Sequence, residues 1–344
     1  MSKELEHHYA LLIGIGECVN REWSLPVTVN DVKAFKEVLV SQCGYIEDNI
    51  YLLFNEQATK DGILERFNYL KQQVEKDSEA TVIVYYSGHG LLDKDTNEYF
   101  LVPHDFNTSS LSGEIFNQKL QEIKAKRLLV IIDTCHQKEN AISPKGMRYA
   151  IARNETDENL INIAFPEVLI EELTQGGRRA IFTPSTDEQT SCIFDDKNIS
   201  IYIYHLLEAL QGAESHPDDK EISVSSLSRY LDKKVIKSTH HQQKPNSKIY
   251  GDFNIGLLRG GEGLPVGGWN SIKEEVKQNI NDIIRRTQRE QQDNNAYDIV
   301  NVLKKGYFCY ALSSPLQEKN QLLEYIKEYL KQIPKTINAI ATME

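Results

Sequence analysis

The chain is short of cysteine, and the cysteines it has are scattered. Cys18, Cys43, Cys135, Cys192 and Cys309 are odd in number and form no CxxC pair, which argues against a disulfide framework and against a zinc site. In a reducing compartment such a lone thiol can act as a nucleophile. Long apolar runs are also missing. Nothing approaches the roughly 18 uninterrupted apolar residues of a membrane-spanning helix. The opening MSKELEHHY has no apolar signal-peptide core, so a cytoplasmic location is expected, away from membranes. Positive charge is scarce too. The net charge is -11 over 344 residues, and residues 270–344 carry about +1 of it, leaving about -12 on the first 269. That balance disfavours nucleic acid as a partner and would attract a basic peptide. No internal repeat is visible.

The remaining composition, 40% apolar and 26% charged with mean hydropathy -0.46, is that of a soluble globular protein. The length allows one sizeable core plus an appendage. Apolar runs at residues 9–15 (YALLIGI), 50–54, 81–86 and 128–132 read as buried strands. Between them, periodic stretches read as helices: one opened by Asn30-Asp31 and running to about residue 42, and one capped by Thr59 and running to about residue 75. A short extended piece at 98–102 and a short helix at 115–123 follow. Strand, helix, strand, helix, strand predicts an α/β fold with a mostly parallel central sheet and helices on both faces. Residues 137–165 lose the pattern and read as a long exposed loop. A helix is expected at 166–175, a strand at 179–183, a turn-rich stretch at 184–191, helices at 200–211 and 224–238, and a last strand at 253–258. The expected domains are therefore 1–258, a Gly-rich linker over 259–269 (RGGEGLPVGG and Trp269), and a helical module over 270–344.

Two strand ends carry the chemistry. TVIVYYSGHG delivers His89 to a carboxyl end between Gly88 and Gly90, and LLVIIDTCH delivers Cys135 to another. Ligands of parallel sheets bind beyond those ends. Cys135 can be a nucleophile and His89 its base, facing it across a cleft. His136 is adjacent in sequence but points to the opposite side of an extended chain. The N–H groups of Gly90 and Cys135 could form an oxyanion hole, and no third member is evident, so a dyad is proposed. The plain alternatives are a structural histidine at a strand end and an inert core cysteine. The other four cysteines lack such a setting and are read as structural.

YALLIGI, VNDV, YYSGHG, YFLVPHD and LLVIIDTCH, in this order, resemble the caspase-like cysteine peptidases of clan CD (family C14), with metacaspases and their bacterial relatives the nearest likeness. Later marks are RRAIFTPSTDEQT, YIYHLLEALQG and SVSSLSRYL. The resemblance runs from about residue 9 to 258. It implies the dyad His89 and Cys135 with Gly90 at the oxyanion hole. It also implies a pocket of Asp31, Ser87 and Asp133 for an Arg or Lys before the scissile bond. Two carboxylates suit a guanidinium by charge and paired hydrogen bonds; for Asp31 the residues alone suggest a plain helix cap.

The likeness further implies a large-subunit-like region 1–136 and a small-subunit-like region 166–258, with the break in the loop between them. Lys138, Lys145, Arg148 and Arg153 there are candidate self-cleavage sites, an uncut surface loop being the alternative. Where the family continues CHSG, this chain has His136-Gln137-Lys138. Many metacaspases need calcium, for which Asp93, Asp95 and Asp105 are candidates. No full ligand set can be matched, and no cofactor is expected. The resemblance implies a monomeric endopeptidase, made as a zymogen in a bacterial signalling or defence (antiviral) pathway and activated by a protein docking on the helical module. The alternative is a catalytically silent scaffold of the same fold that binds partners through that module.

Overall fold

The strand that carries SGHG sits near the middle of the sheet. In the computed structural model, which describes residues 5–106, 109–135, 147–149, 159–173, 177–185, 192–194, 199–213 and 220–258, β3 spans Thr81–Asp93 and its first eleven residues are buried. It pairs in parallel with β1 (His8–Gly14) on one side and with β6 (Arg127–Cys135) on the other. The main sheet continues outward from β1 to β2 (Ile50–Phe54), and from β6 to β9 (Arg178–Thr183) and then β12 (Asn246–Tyr250), which runs antiparallel. The continuous apolar runs of β1, β3 and β6 follow from this position, since central parallel strands are covered on both faces.

One face packs on three helices. Leu11, Ile13, Val82, Val84, Tyr86, Leu128, Val130 and Ile132 form a single core with residues of α2 (Lys60–Val74), α3 (Gly113–Glu122) and α4 (Glu167–Leu173). Ile63, Phe67, Leu70 and Val74 are the buried stripe of α2. They recur at helical spacing, and each fully buried side chain contributes about 1.5–3 kcal/mol. Thr59 caps α2 by accepting from Gly62 N at 3.1 Å, as its sequence position predicts. Arg179, buried, donates to Ala125 O and Ile123 O beyond the end of α3, and burial lowers its pKa. The opposite face carries α1 (Val27–Ser41), with Phe35 edge-on to Tyr85 at 5.6 Å. Beside α1 lies α5 (Ile201–Leu210), and α6 (Val224–Ser238) packs on α5.

Smaller pieces complete the described chain. β4 (Tyr99–Leu101) and β8 (Leu160–Asn162) both pair with the far half of β3, and β5 (Leu111–Ser112) pairs with β4. β7 (Met147–Tyr149) pairs with β10 (Cys192–Phe194), and β11 (Glu221–Ser223) with β13 (Asn254–Leu257).

Several sequence expectations change. β3 does not end at Tyr86 but runs on through Ser87-Gly88-His89-Gly90, because β6, β4 and β8 supply ladder partners along that whole stretch. The helix expected to open at Asn30-Asp31 begins at Val27, with Pro26 in the capping position; proline's fixed φ suits a helix start. The end of the expected 137–165 loop belongs to the sheet and core: β8 lies on β3, and Ala164 and Phe165 are buried. The linker 259–269 and the helical module 270–344 lie outside the described residues, as do Lys138, Lys145, Arg153, His136 and Cys309. Among the described residues no helix is long and apolar enough to cross a membrane.

Candidate active site

β3 and β6 have the same number of residues from their paired starts to their functional ends. Thr81 stands beside Arg127, and the ladder then runs without a slip to Ser87 beside Asp133, Gly88 beside Thr134, and His89 beside Cys135. The two motifs are therefore level, and alternation along each strand puts Ser87 and His89 on one side together with position 133. Ser87, His89 and Asp133 are all nearly inaccessible, at 1–2% exposure.

The main chain of His89 is fixed from the far side of the strand. Its carbonyl lies 3.2 Å from the Tyr86 hydroxyl and accepts from Val102 N at 3.1 Å. The flanking glycines are required by aromatic neighbours. A Cβ on Gly88 would lie 2.7 Å from Tyr86 Oη, and one on Gly90 would lie 2.8 Å from Tyr99 Cζ and 2.9 Å from the Ile163 carbonyl. Tyr86 and Tyr99 pack against the backbone on either side of His89, and only glycine leaves them room. The imidazole itself meets Trp23 edge to face, ring centroids 5.7 Å apart.

Asp31 lies on α1, at 1% exposure, and does not cap its own helix. It reaches to α5: its Oδ1 accepts from Ser200 N at 3.0 Å, while its Oδ2 is buried with no hydrogen-bond partner. Ser200 in turn caps α5, its hydroxyl accepting from Ile203 N at 3.2 Å. Burial, and next to it the neighbouring Asp133 carboxylate, hold the Asp31 pKa well above the usual carboxylate range. Asp133 also lies 3.5 Å from the Tyr85 hydroxyl. Tyr202 on α5 is a neighbour that sequence reasoning missed. It is buried, its hydroxyl makes no hydrogen bond, and burial and then Asp133 push its pKa up. Thus Asp31 from α1, Asp133 from β6 and the start of α5 converge on one buried acidic locus beside Ser87.

The remaining candidates fall elsewhere. Asp93 accepts from Asp95 N and Thr96 N and so closes a turn, Asp95 accepts from Asn159, and Asp105 accepts from Lys60 N at the start of α2. The three carboxylates do not form a cluster, and among the described residues no three His, Cys, Asp or Glu side chains are gathered as metal ligands. Arg148 is placed by its backbone in β7, opposite Ile193 of β10; Ile193 also bridges to Ser200. Cys18 and Cys192 are buried, and burial pushes both thiols up to about 12, which disfavours the reactive thiolate. Cys43 is buried as well.

The model of the caspase domain family matches residues 7–250. Metacaspase-1 of Eremothecium gossypii is 34% identical over 146 residues, 37% of this chain and 31% of that protein. Metacaspase-3 of Arabidopsis thaliana is 24% identical over 228 residues, 60% of each. The chain thus spans about a third of the length of the fungal relatives it matches. The crystal structure of caspase-1 from Spodoptera frugiperda is similar with a TM-score of 0.46 and 14% identity, over 72% of this chain and 87% of that one. With a family match that covers well over half its length, and a mostly parallel sheet bearing SGHG and DTC on neighbouring strands, the chain belongs to the caspase-domain family of cysteine peptidases, family C14.

Proposed function

We propose that the chain is a cysteine endopeptidase that cleaves after Arg or Lys. The observation that carries this reading is the unbroken β3–β6 ladder, which sets His89 level with Cys135 and Ser87 level with Asp133. Chemistry and side-chain selection then occupy adjacent rungs. The Cys135 sulfur attacks the scissile carbonyl carbon while its proton passes to His89. The oxyanion that forms is met by the N–H groups of Cys135 and Gly90. As the C–N bond breaks, His89 gives the proton to the leaving amine, and the acyl-enzyme remains. Water attacks that thioester, its proton passing through His89, and releases the acid and the free thiol.

The acidic locus supports the basic preference. A buried carboxylate oxygen with no donor, as on Asp31, costs free energy that an incoming N–H donor would recover. A guanidinium offers five such donors and the charge to match two carboxylates. For self-cleavage in the loop after Cys135 the candidates are Lys138, Lys145, Arg148 and Arg153, with an uncut loop as the alternative.

The test presents fluorogenic peptides ending in Arg, Lys, Asp or Asn to the wild type and to Cys135→Ala. Turnover of Arg and Lys peptides by the wild type alone is expected. Turnover restricted to Asp peptides would sink the pocket assignment, and equal turnover by Cys135→Ala would sink the nucleophile. For self-cleavage, a cleavage band on a denaturing gel is expected in the wild type and not in Cys135→Ala; identical banding in the two would refute it.

A further inference from the structure

A histidine that must take a proton from one atom and give it to another needs its ring held at one angle, and in a Ser-His-Asp triad a carboxylate does this. Here the main chain at His89 is anchored by Tyr86 and Val102, and the imidazole ring lies against the indole of Trp23. The two planes meet at 69° with centroids 5.7 Å apart. Trp23 is 3% exposed and also meets Phe106, ring centroids 5.5 Å apart at 79°.

The segment that delivers Trp23 is tied down at several points. Leu25 N donates to Gly16 O at 2.8 Å, Cys18 N to Ser24 Oγ at 3.1 Å, and the Cys18 thiol to the Trp23 carbonyl at 3.3 Å. Val19 N donates to the His104 carbonyl, and the His104 ring lies 2.6 Å from Glu17 O. Both strips of chain bordering His89, 16–25 and 102–106, are therefore joined to each other, and the indole is a rigid wall rather than a passing contact.

We propose that Trp23 is a positioning residue for proton transfer: its indole holds the His89 ring in the orientation that serves Cys135. The proposal rests on His89 and Cys135 being the dyad. An aromatic pair of this geometry biases the ring by enough to change the productive population several-fold. Trp23→Leu should thus lower kcat roughly tenfold at unchanged KM, and Trp23→Phe, which keeps an edge but withdraws the outer ring, roughly threefold.

A second readout needs no peptide. Iodoacetamide is added to the full chain, and alkylation of Cys135 is timed by mass spectrometry at neutral pH in wild type, Trp23→Leu, Trp23→Phe and His89→Ala. His89→Ala should be slowest, and the two Trp23 variants should fall between it and the wild type in the order Leu, Phe. If His89→Ala reacts as fast as the wild type, the dyad itself is wrong. If His89→Ala is slow but folded Trp23→Leu keeps the wild-type rate, or if its KM rises at constant kcat, the role of Trp23 is refuted. Should Trp23→Leu fail to fold, Trp23→Phe decides alone: slower alkylation with unchanged KM supports the proposal, and the wild-type rate overturns it.

Discussion

Asp31→Asn should make this protein more stable and much less active. The carboxylate does two things in the structure. Its Oδ1 accepts the Ser200 N–H at 3.0 Å, and its Oδ2 is buried without a partner. Asparagine keeps the first, because an amide oxygen also accepts, and its NH2 takes the place of the unpartnered oxygen. What is lost is the ability to ionise and so to meet a guanidinium with a charge.

Burial and then the Asp133 charge raise the Asp31 pKa in the folded chain. As pH rises past the usual carboxylate value near 4, the unfolded chain gives up this proton first. The native state is therefore destabilised progressively until its own raised pKa is passed. Asparagine has no proton to lose, so the gain in Tm of Asp31→Asn over wild type should grow from pH 4 upward. On the activity side, removing one partner of a charge-assisted hydrogen bond to a guanidinium costs roughly 2–3 kcal/mol. That amounts to roughly a 30- to 150-fold fall in kcat/KM on Arg peptides.

The assays are thermal melts at pH 4, 6 and 8 and initial rates on an Arg-terminated fluorogenic peptide. A lower Tm at pH 8 would show that Asp31 is a net structural support. Unchanged kcat/KM would show that it does not meet the substrate.

Three further outcomes follow from the packing. Gly90→Ala should lose about 1–3 kcal/mol in denaturant melts, since the new methyl would crowd the Tyr99 ring and the Ile163 carbonyl; wild-type stability would mean that β8 yields easily. Tyr86→Phe removes a hydroxyl that reaches the carbonyls of both His89 and Val102, for a loss of about 1–2 kcal/mol by the same melts, and an unchanged melt would show those carbonyls well served without it. His8, half-buried beside Tyr45, has its pKa lowered to about 4, mainly by burial and next by the Arg127 charge. Its ring stays neutral in the fold while the unfolded chain takes up a proton below pH 6.5, so stability should fall by up to about 3 kcal/mol between pH 6.5 and 4. His8→Phe should flatten that part of the stability curve; an unaltered slope would place the acid sensitivity elsewhere.

The order of elements was legible because the central strands are apolar throughout and the helices between them keep a helical stripe. What the sequence hid is governed by tertiary partners. Ser87-Gly88-His89-Gly90 reads locally as a turn, yet it is strand, since the ladders to β6 and β4 outweigh the weak strand preference of glycine. Residues 25–28 read as loop before Asn30-Asp31, and the missed signal was Pro26, a natural helix opener. The stretch 160–165 (LINIAF) was apolar enough to announce β8 and the buried Phe165, but the polar residues before it masked the change. NSKIY of β12 is a mostly polar edge strand and carries no such signal. Within the site, SGHG and DTC were visible as motifs. The Asp31–Ser200 bond joins residues 169 positions apart, and the Trp23–His89 contact comes from a polar loop; neither has a local pattern to read.

The register between β3 and β6 explains why the site can be built from two short motifs at all. Nine consecutive rungs, from Thr81–Arg127 to His89–Cys135, precede or include the functional residues. A slip of one residue would move every side chain of one strand to the opposite face, taking Val82, Val84 and Tyr86 out of the core they share with Phe67 and Phe116. A slip of two would keep the faces but set His89 level with Asp133. Each alternative register would misplace several fully buried side chains worth about 1.5–3 kcal/mol apiece. The packing below the strand ends thereby enforces the pairing above them. The hydrophobic core thus helps to set Ser87 beside Asp133 and His89 beside Cys135.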